Sequence, residues 1–146
     1  MYEQLKNILP ENHLDELTSI VREKRLRVSE HFIKAGEVPF KIAFISSGLF
    51  RYVYTSESGV EFTKAIIPES NFISSYSAMI LNRQSYFSIE ALEDSCIFEF
   101  HWDAFKELMD RDIFWVKFLL KFVEKGYIIK EKRERDLLLL DAETRY

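Results

Sequence analysis

Asn71-Phe72-Ile73-Ser74-Ser75-Tyr76-Ser77-Ala78-Met79-Ile80-Leu81-Asn82-Arg83-Gln84-Ser85-Tyr86-Phe87-Ser88-Ile89-Glu90-Ala91-Leu92 is the stretch on which the reading of this chain turns. The hydroxyl residues Ser74, Ser75 and Ser77, with Tyr76 among them, separate two segments of strand character. Ala78 to Leu81 is long enough for one or two helical turns, and the polar turn Asn82 to Ser85 leads back into strand. A hydroxyl-lined helical interruption in a β domain suits the floor of a small-ligand pocket. The same pattern also suits a corner where the chain changes sheets, and spacing alone leaves both readings open.

Strand patterns flank this stretch. Upstream, Leu26 to Ile33 alternates imperfectly, Lys34-Ala35-Gly36-Glu37 is a turn, and Ile42 to Ile45 is a short β-rich run stopped at Ser46-Ser47-Gly48. Leu49 to Thr55 is strand again. Ser56-Glu57-Ser58-Gly59 is a hairpin loop with a glycine available for positive φ, and Val60 to Ile67 is the returning strand. Downstream, Ile89 and Ala91 alternate with Ser88 and Glu90. Cys96, Phe98 and Phe100 alternate with Ile97 and Glu99, which places Cys96 on the inward face. Many short strands with regular turns point to a sandwich, jelly roll or barrel.

Helical patterns bracket the strands. Asn12 to Arg25 reads as a helix, with Asn12 as its cap, Asp15 and Glu16 in the first turn, and Leu14, Leu17, Ile20 and Val21 as an apolar stripe. Leu5, Ile8 and Leu9 fit a shorter helix before Pro10. Trp102 to Met109 is a short helix. Asp112 to about Leu140 is a long one, with Asp112 as its N-cap. Ile113, Val116, Leu120, Val123 and Tyr127 follow a near-heptad line, and Phe114, Phe118 and Phe122 follow a second. Two apolar faces on one helix point to a homodimer seam through Val116, Leu120, Val123 and Tyr127; the alternative is one wide core face.

The 146 residues suffice for one domain with a real core, and 47% hydrophobic with 30% charged residues is ordinary for a globular chain. No apolar run approaches a membrane span, the N-terminus carries no signal-peptide pattern, and a single cysteine makes no internal disulfide. A cytoplasmic location and no membrane association are expected. The net charge of −4 disfavours nucleic-acid binding by this chain itself.

Catalytic chemistry finds no support. His13, His31 and His101 do not stand at metal-ligand spacing with one another or with Cys96. There is no Gly-x-Ser-x-Gly elbow, no P-loop and no Gly-x-Gly-x-x-Gly. Neither an enzyme, nor a metal, nor a cofactor is expected.

The order of elements resembles the sensor half of the Crp/Fnr family of bacterial transcription regulators. Phe32-Ile33-Lys34-Ala35-Gly36-Glu37 is similar to the family's Gly-Glu turn. Ile42-Ala43-Phe44-Ile45-Ser46-Ser47-Gly48-Leu49-Phe50-Arg51 resembles its glycine hairpin, and Gly59 falls at its next hairpin glycine. Asn71-Phe72-Ile73 stands where the family has Gly-Asp-Phe-hydrophobic, and Leu140-Asp141-Ala142-Glu143-Thr144-Arg145-Tyr146 is similar to its hinge. The Ser-Ser-Tyr-Ser set resembles a divergent, Bacteroidetes-type branch.

This resemblance implies an α+β, mainly β fold, a double-stranded β-helix or jelly-roll with short N-terminal helices. Residues 1–111 form the cyclic-nucleotide-binding-like β-roll and 112–141 the long dimerisation helix. Residues 142–146 begin a helix-turn-helix domain absent from this chain, through which alone DNA is contacted. The ligand pocket falls on Phe72, Ser74, Ser75, Tyr76, Ser85 and Tyr86. Cyclic-nucleotide binders have a Gly-Glu pair, whose Glu holds the ribose, where this chain has Ser74 and Ser75. Their Arg-Ser/Thr-Ala segment, which clamps the phosphate, aligns with Ser85, Tyr86 and Phe87, and Arg83 lies two residues earlier. A hydroxyl does not replace a bidentate guanidinium on a phosphate. The implied function is therefore effector sensing by a homodimer, with an unknown small-molecule effector other than cAMP or cGMP. The rival is a stand-alone structural dimerisation module whose vestigial pocket is filled by its own Tyr76, Tyr86 and Phe87.

Overall fold

The computed structural model describes residues 5–7 and 9–145, with side chains through 140. Ile8, part of the expected first short helix, lies outside the described residues, whereas Leu5 and Lys6 are helical. The chain divides into two compact units, Met1–Glu107 and Leu108–Tyr146.

In the first unit, α1 (Glu11–Ile20) buries Leu14 and Leu17. It starts directly after Pro10, whose carbonyl accepts the Leu14 N–H, so Asn12 is not its cap. The expected helix to Arg25 stops at Ile20. Val21 is extended and Arg22–Leu26 forms β1, paired antiparallel with β8 (Ser95–His101) from Arg22 opposite Glu99 to Leu26 opposite Ser95. Arg, Glu and Lys favour a helix by only a few tenths of a kcal/mol each, and a five-residue ladder to β8 overrides that preference.

The expected strand Leu26 to Ile33 is likewise two pieces. Ser29 turns the chain at φ 73°, the Glu30 N–H donates to the Arg27 carbonyl, and the Val28 N–H donates to Asp94 Oδ1. Beyond that corner β2 (His31–Ile33) joins the other sheet. The remaining strands are β3 (Lys41–Ser47), β4 (Leu49–Thr55), β5 (Glu61–Pro68), β6 (Phe72–Ile73) and β7 (Ser88–Ala91).

The eight strands make two four-stranded antiparallel sheets, in the orders β1-β8-β3-β6 and β2-β7-β4-β5. The chain passes repeatedly from one sheet to the other, the arrangement of a jelly roll, as expected. Leu26, Ala43, Ile45, Ile73 and Ile97 from the first sheet meet Ile33, Phe50, Ile89 and Ala91 from the second in one buried core. Gly48 makes the step from β3 to β4 at φ +120°, and a Cβ there would stand 2.0 Å from Ser95 Oγ, so only glycine fits.

The first sheet is covered on its other face as well. Phe44, Phe72, Phe100 and Phe105 form a chain of ring contacts with centroids 5.1, 6.4 and 5.5 Å apart. This reverses the expected sense of β8. Cys96 is half-buried on the outer side, while Ile97 and Glu99 face the interior. A strand apolar on both faces carries no readable alternation, and register decides instead: Glu99 and the core residue Ala43 stand directly opposite each other.

α3 (Trp102–Arg111) follows β8, and α4 (Ile113–Arg145) is the main element of the second unit. Asp112 caps α4 as expected, its Oδ1 accepting the Phe114 N–H at 2.9 Å. The Trp115 ring meets Phe114 at 5.1 Å and Phe118 at 5.5 Å. The helix has 33 residues and continues through Asp141 to Arg145. No described helix is long and apolar enough to cross a membrane.

Candidate functional site

The segment expected to floor a pocket begins where β6 ends. Phe72 and Ile73 pair with Phe44 and Ala43; Ser74 and Ser75 follow, then the short helix α2 (Tyr76–Leu81). Asn82 closes α2 in the left-handed region at φ 52°, a conformation Asn tolerates, and the Arg83 N–H donates to the Ala78 carbonyl at 3.0 Å. Ala78 and Met79 fasten the helix by burial. Ser85 then docks on the Lys34–Glu37 turn: its N–H donates to the Glu37 carbonyl at 2.8 Å, and its carbonyl accepts the Gly36 N–H at 2.9 Å.

Ser75 and Ser85 are both buried, and their hydroxyl oxygens lie 2.7 Å apart. Ser85 Oγ donates to the Phe87 carbonyl at 2.7 Å, so the proton shared between the serines comes from Ser75. The Phe87 N–H also donates to Ser85 Oγ, at 3.3 Å. Ten residues apart in sequence, the two hydroxyls close the ends of the segment on each other.

Tyr52 on β4 completes the circuit. Its hydroxyl donates to the Ser74 carbonyl at 3.3 Å and accepts the Ser74 N–H at 3.1 Å. Burial pushes its pKa up to about 12, a rise that the Ser74 backbone bond partly offsets. The Tyr52 ring stacks on Phe87 at 5.0 Å, Tyr54 meets Phe87 edge-on at 5.8 Å, and Lys64 Nζ stands 4.9 Å from the Phe87 ring centre.

The structure thus gathers Ser74, Ser75 and Ser85 around Tyr52 and Phe87. It does not bring the other expected pocket residues to them. Phe72 lies on the outer face of its sheet among Phe44 and Phe100. Tyr76 meets Trp102 at 6.0 Å, and partial burial raises its pKa. Tyr86 is 68% exposed, with the Arg83 guanidinium 5.4 Å above its ring. Phe87 is the aromatic that packs against the core from this segment. Tyr52 carried no motif in the sequence; its only signal was an aromatic on a core strand.

Charge is sparse inside the roll. Glu99 is buried, with Oε1 accepting from Lys41 Nζ at 3.3 Å. Arg51 is engaged on the outer face of the second sheet by Glu61, by Glu90 at 2.9 Å and by Thr63 at 3.1 Å. Hydrogen bonds to Glu61 and then Glu90 raise its pKa. Cys96 Sγ donates to Glu23 Oε1 at 3.4 Å, and its pKa is raised, first by burial and then by Glu23. A thiol held protonated in this way is a poor nucleophile. On α4, Val116, Leu120 and Tyr127 are exposed and Val123 is half-buried.

Residues 23–112 match the model of the cyclic nucleotide-binding domain family. No curated protein matches the chain. Among solved structures, a cyclic nucleotide-binding domain from Methylobacillus flagellatus superposes with a TM-score of 0.80 at 14% identity, over 94% of this chain and 82% of that one. The Thermus thermophilus catabolite activator protein gives 0.73 at 18% identity, over 92% of this chain; the match spans 62% of that longer protein. The sensor domain of the transcriptional regulator DNR from Pseudomonas aeruginosa gives 0.70 at 16%, over 88% and 86%. At these identities the likeness is one of fold.

Proposed function

The chain belongs to the cyclic nucleotide-binding domain family, and from that premise we propose that it is the effector-sensing and dimerisation half of a cytoplasmic Crp/Fnr-like transcription regulator. In this reading DNA is contacted through a helix-turn-helix half outside this chain. The effector is a small molecule other than cAMP or cGMP.

One observation carries the reading. The resemblance aligns Ser75 with the ribose-binding Glu of cyclic-nucleotide binders and Ser85 with their phosphate-binding Arg. Here the two side chains hydrogen-bond to each other at 2.7 Å. A cyclic nucleotide would have to break that bond, and would then find two hydroxyls where a carboxylate and a guanidinium are needed. Arg83 is the nearest guanidinium in sequence, and it stands over the exposed Tyr86 ring.

The working cycle is a population shift. An effector that binds better to one arrangement of the pocket segment biases a pair of α4 helices joined along Val116, Leu120, Val123 and Tyr127, and so the attached DNA-binding halves. The exposed apolar residues on α4 support that seam. Purified protein should release a bound metabolite on denaturation, detected by mass spectrometry. The same compound, added back, should raise the melting temperature.

A second reading has its own support. Tyr52, Phe87 and the paired serines occupy the space of the pocket segment, as they would in a structural dimerisation module with a self-filled, vestigial pocket. That module would release no metabolite and would show no melting shift across a broad panel.

A further inference from the structure

Helix α4 changes character along one line. Ile113, Val116, Leu120, Val123 and Tyr127 recur at alternating intervals of three and four residues, and the same rhythm continues through Lys130, Glu134 and Leu137. The helix is unbroken over Ile113–Arg145, so these positions keep to one side of it, with a slow drift that supercoiling around a second helix removes. Lys130 and Glu134 are therefore charges set into an apolar line, with Tyr127 before them and Leu137 after them, each 65% exposed. Lys130 and Glu134 are exposed as well.

A lone charge at a seam position weakens association, because the facing copy presents the same charge. Opposite charges at successive seam positions behave differently. In a parallel, in-register pair each seam side chain enters a hole between four residues of the facing helix. The hole that receives Lys130 lies between Tyr127, Lys130, Glu131 and Glu134 of the second copy. The hole that receives Glu134 lies between its Lys130, Arg133, Glu134 and Leu137. Each of the two charges thus meets two opposite charges and one like charge, and two-fold symmetry makes every contact reciprocal.

We infer that Lys130 and Glu134 are the register lock of the α4 pair: they form reciprocal ion pairs across the seam and hold the second copy parallel and in register. This inference rests on the helix-dimer reading above. A slip of seven residues would set Lys130 against Val123 and Leu137, and Glu134 against Tyr127, leaving each charge covered by an apolar side chain without its counter-charge. An antiparallel pair centred on residue 132 would join Lys130 to Glu134 too. It would also carry Val123 and Leu120 opposite Asp141 and Thr144, whereas the parallel pair sets Val116, Leu120, Val123, Tyr127 and Leu137 each opposite itself. Apolar matching selects the direction, and charge selects the register.

The test measures self-association of the full chain by sedimentation equilibrium. Lys130→Glu and Glu134→Lys should each weaken the dimer about 10-fold or more, because like contacts then outnumber opposite ones in the layer. Mixing the two variants should restore association to near the native affinity, since the mixed pair regains the native balance of contacts. Direction is read separately with Leu137→Cys in a Cys96→Ser background, which should form a disulfide between copies under mild oxidation. Variants that dimerise like the native chain, a mixture no tighter than its components, or a dimer that forms no disulfide at position 137 overturns the inference. In each of those cases the helix-dimer reading stands, because a dimer is present. A native chain that stays monomeric up to about 100 μM removes both.

Discussion

The pocket segment and helix α4 meet opposite situations. Around the segment from Ser74 to Phe87 a set of hydrogen bonds closes the chain on itself: Ser75 to Ser85, Ser85 to Phe87, and Tyr52 to the Ser74 backbone. Along α4, apolar side chains from Val116 and Leu120 through Tyr127 and Ile128 to Leu137, Leu138, Leu139 and Leu140 remain exposed. A hydrogen bond is short and directional, so two side chains of one chain can satisfy each other completely. An apolar helix surface is satisfied only by area, and in the proposed reading these exposed side chains are covered by a second copy of the helix. Under the proposed function, the site keeps its place in the fold while its residues close it, whereas the helical seam stays open until a second copy covers it.

The largest expected effect falls on the open region. Replacing both Val116 and Val123 by Asp places charges in the proposed seam, costing several kcal/mol and weakening association about 100-fold or more. Sedimentation velocity should then report monomers. A dimer that survives both substitutions would break the comparison, because the seam would lie elsewhere.

The closed region responds next through Tyr52. Its pKa is pushed up to about 12 from an ordinary 10. The folded chain therefore keeps the phenolic proton when the unfolded chain has lost it. The stabilisation is intact below pH 10 and disappears as pH rises through 12, by on the order of 3 kcal/mol. Urea unfolding at stepped alkaline pH should show that loss in the native chain, and a flatter profile in Tyr52→Phe. Equal slopes would mean that the hydroxyl is not buried against Ser74. The smallest effect is that of Ser75→Ala, about 1 kcal/mol at neutral pH, because Ser85 keeps its bond to the Phe87 carbonyl. A loss several times larger would make the serine pair the main fastening of the segment.

Much of the fold was legible where local chemistry and tertiary demand agree. Leu49–Thr55, the Ser56–Gly59 turn and the Asp112 cap have signals in their own residues, and the structure forms all three. Arg22 to Arg25 reads as helix because helix-forming residues occupy a strand that is held by its ladder to β8. The faces of Cys96 and Glu99 are not readable from the sequence because both sides of β8 are covered and alternation is lost. In the site, the serines were visible as a cluster, but their pairing across ten residues depends on the turn by which α2 brings Ser85 back. Neither Tyr52 nor Glu99 carries a motif in its own neighbourhood. Each acquires its role from what the other strands place beside it.

In the proposed function, Ser75 and Ser85 stand at the positions that grip a cyclic nucleotide and are closed on each other, without the charged groups such a ligand needs. Calorimetric titration of the native chain with cAMP tests it most directly. The prediction is no binding heat at concentrations up to about 1 mM, an affinity weaker than about −4 kcal/mol. Saturable binding in the micromolar range would contradict it, since the paired Ser75 and Ser85 would then have to open and grip the ribose and phosphate after all.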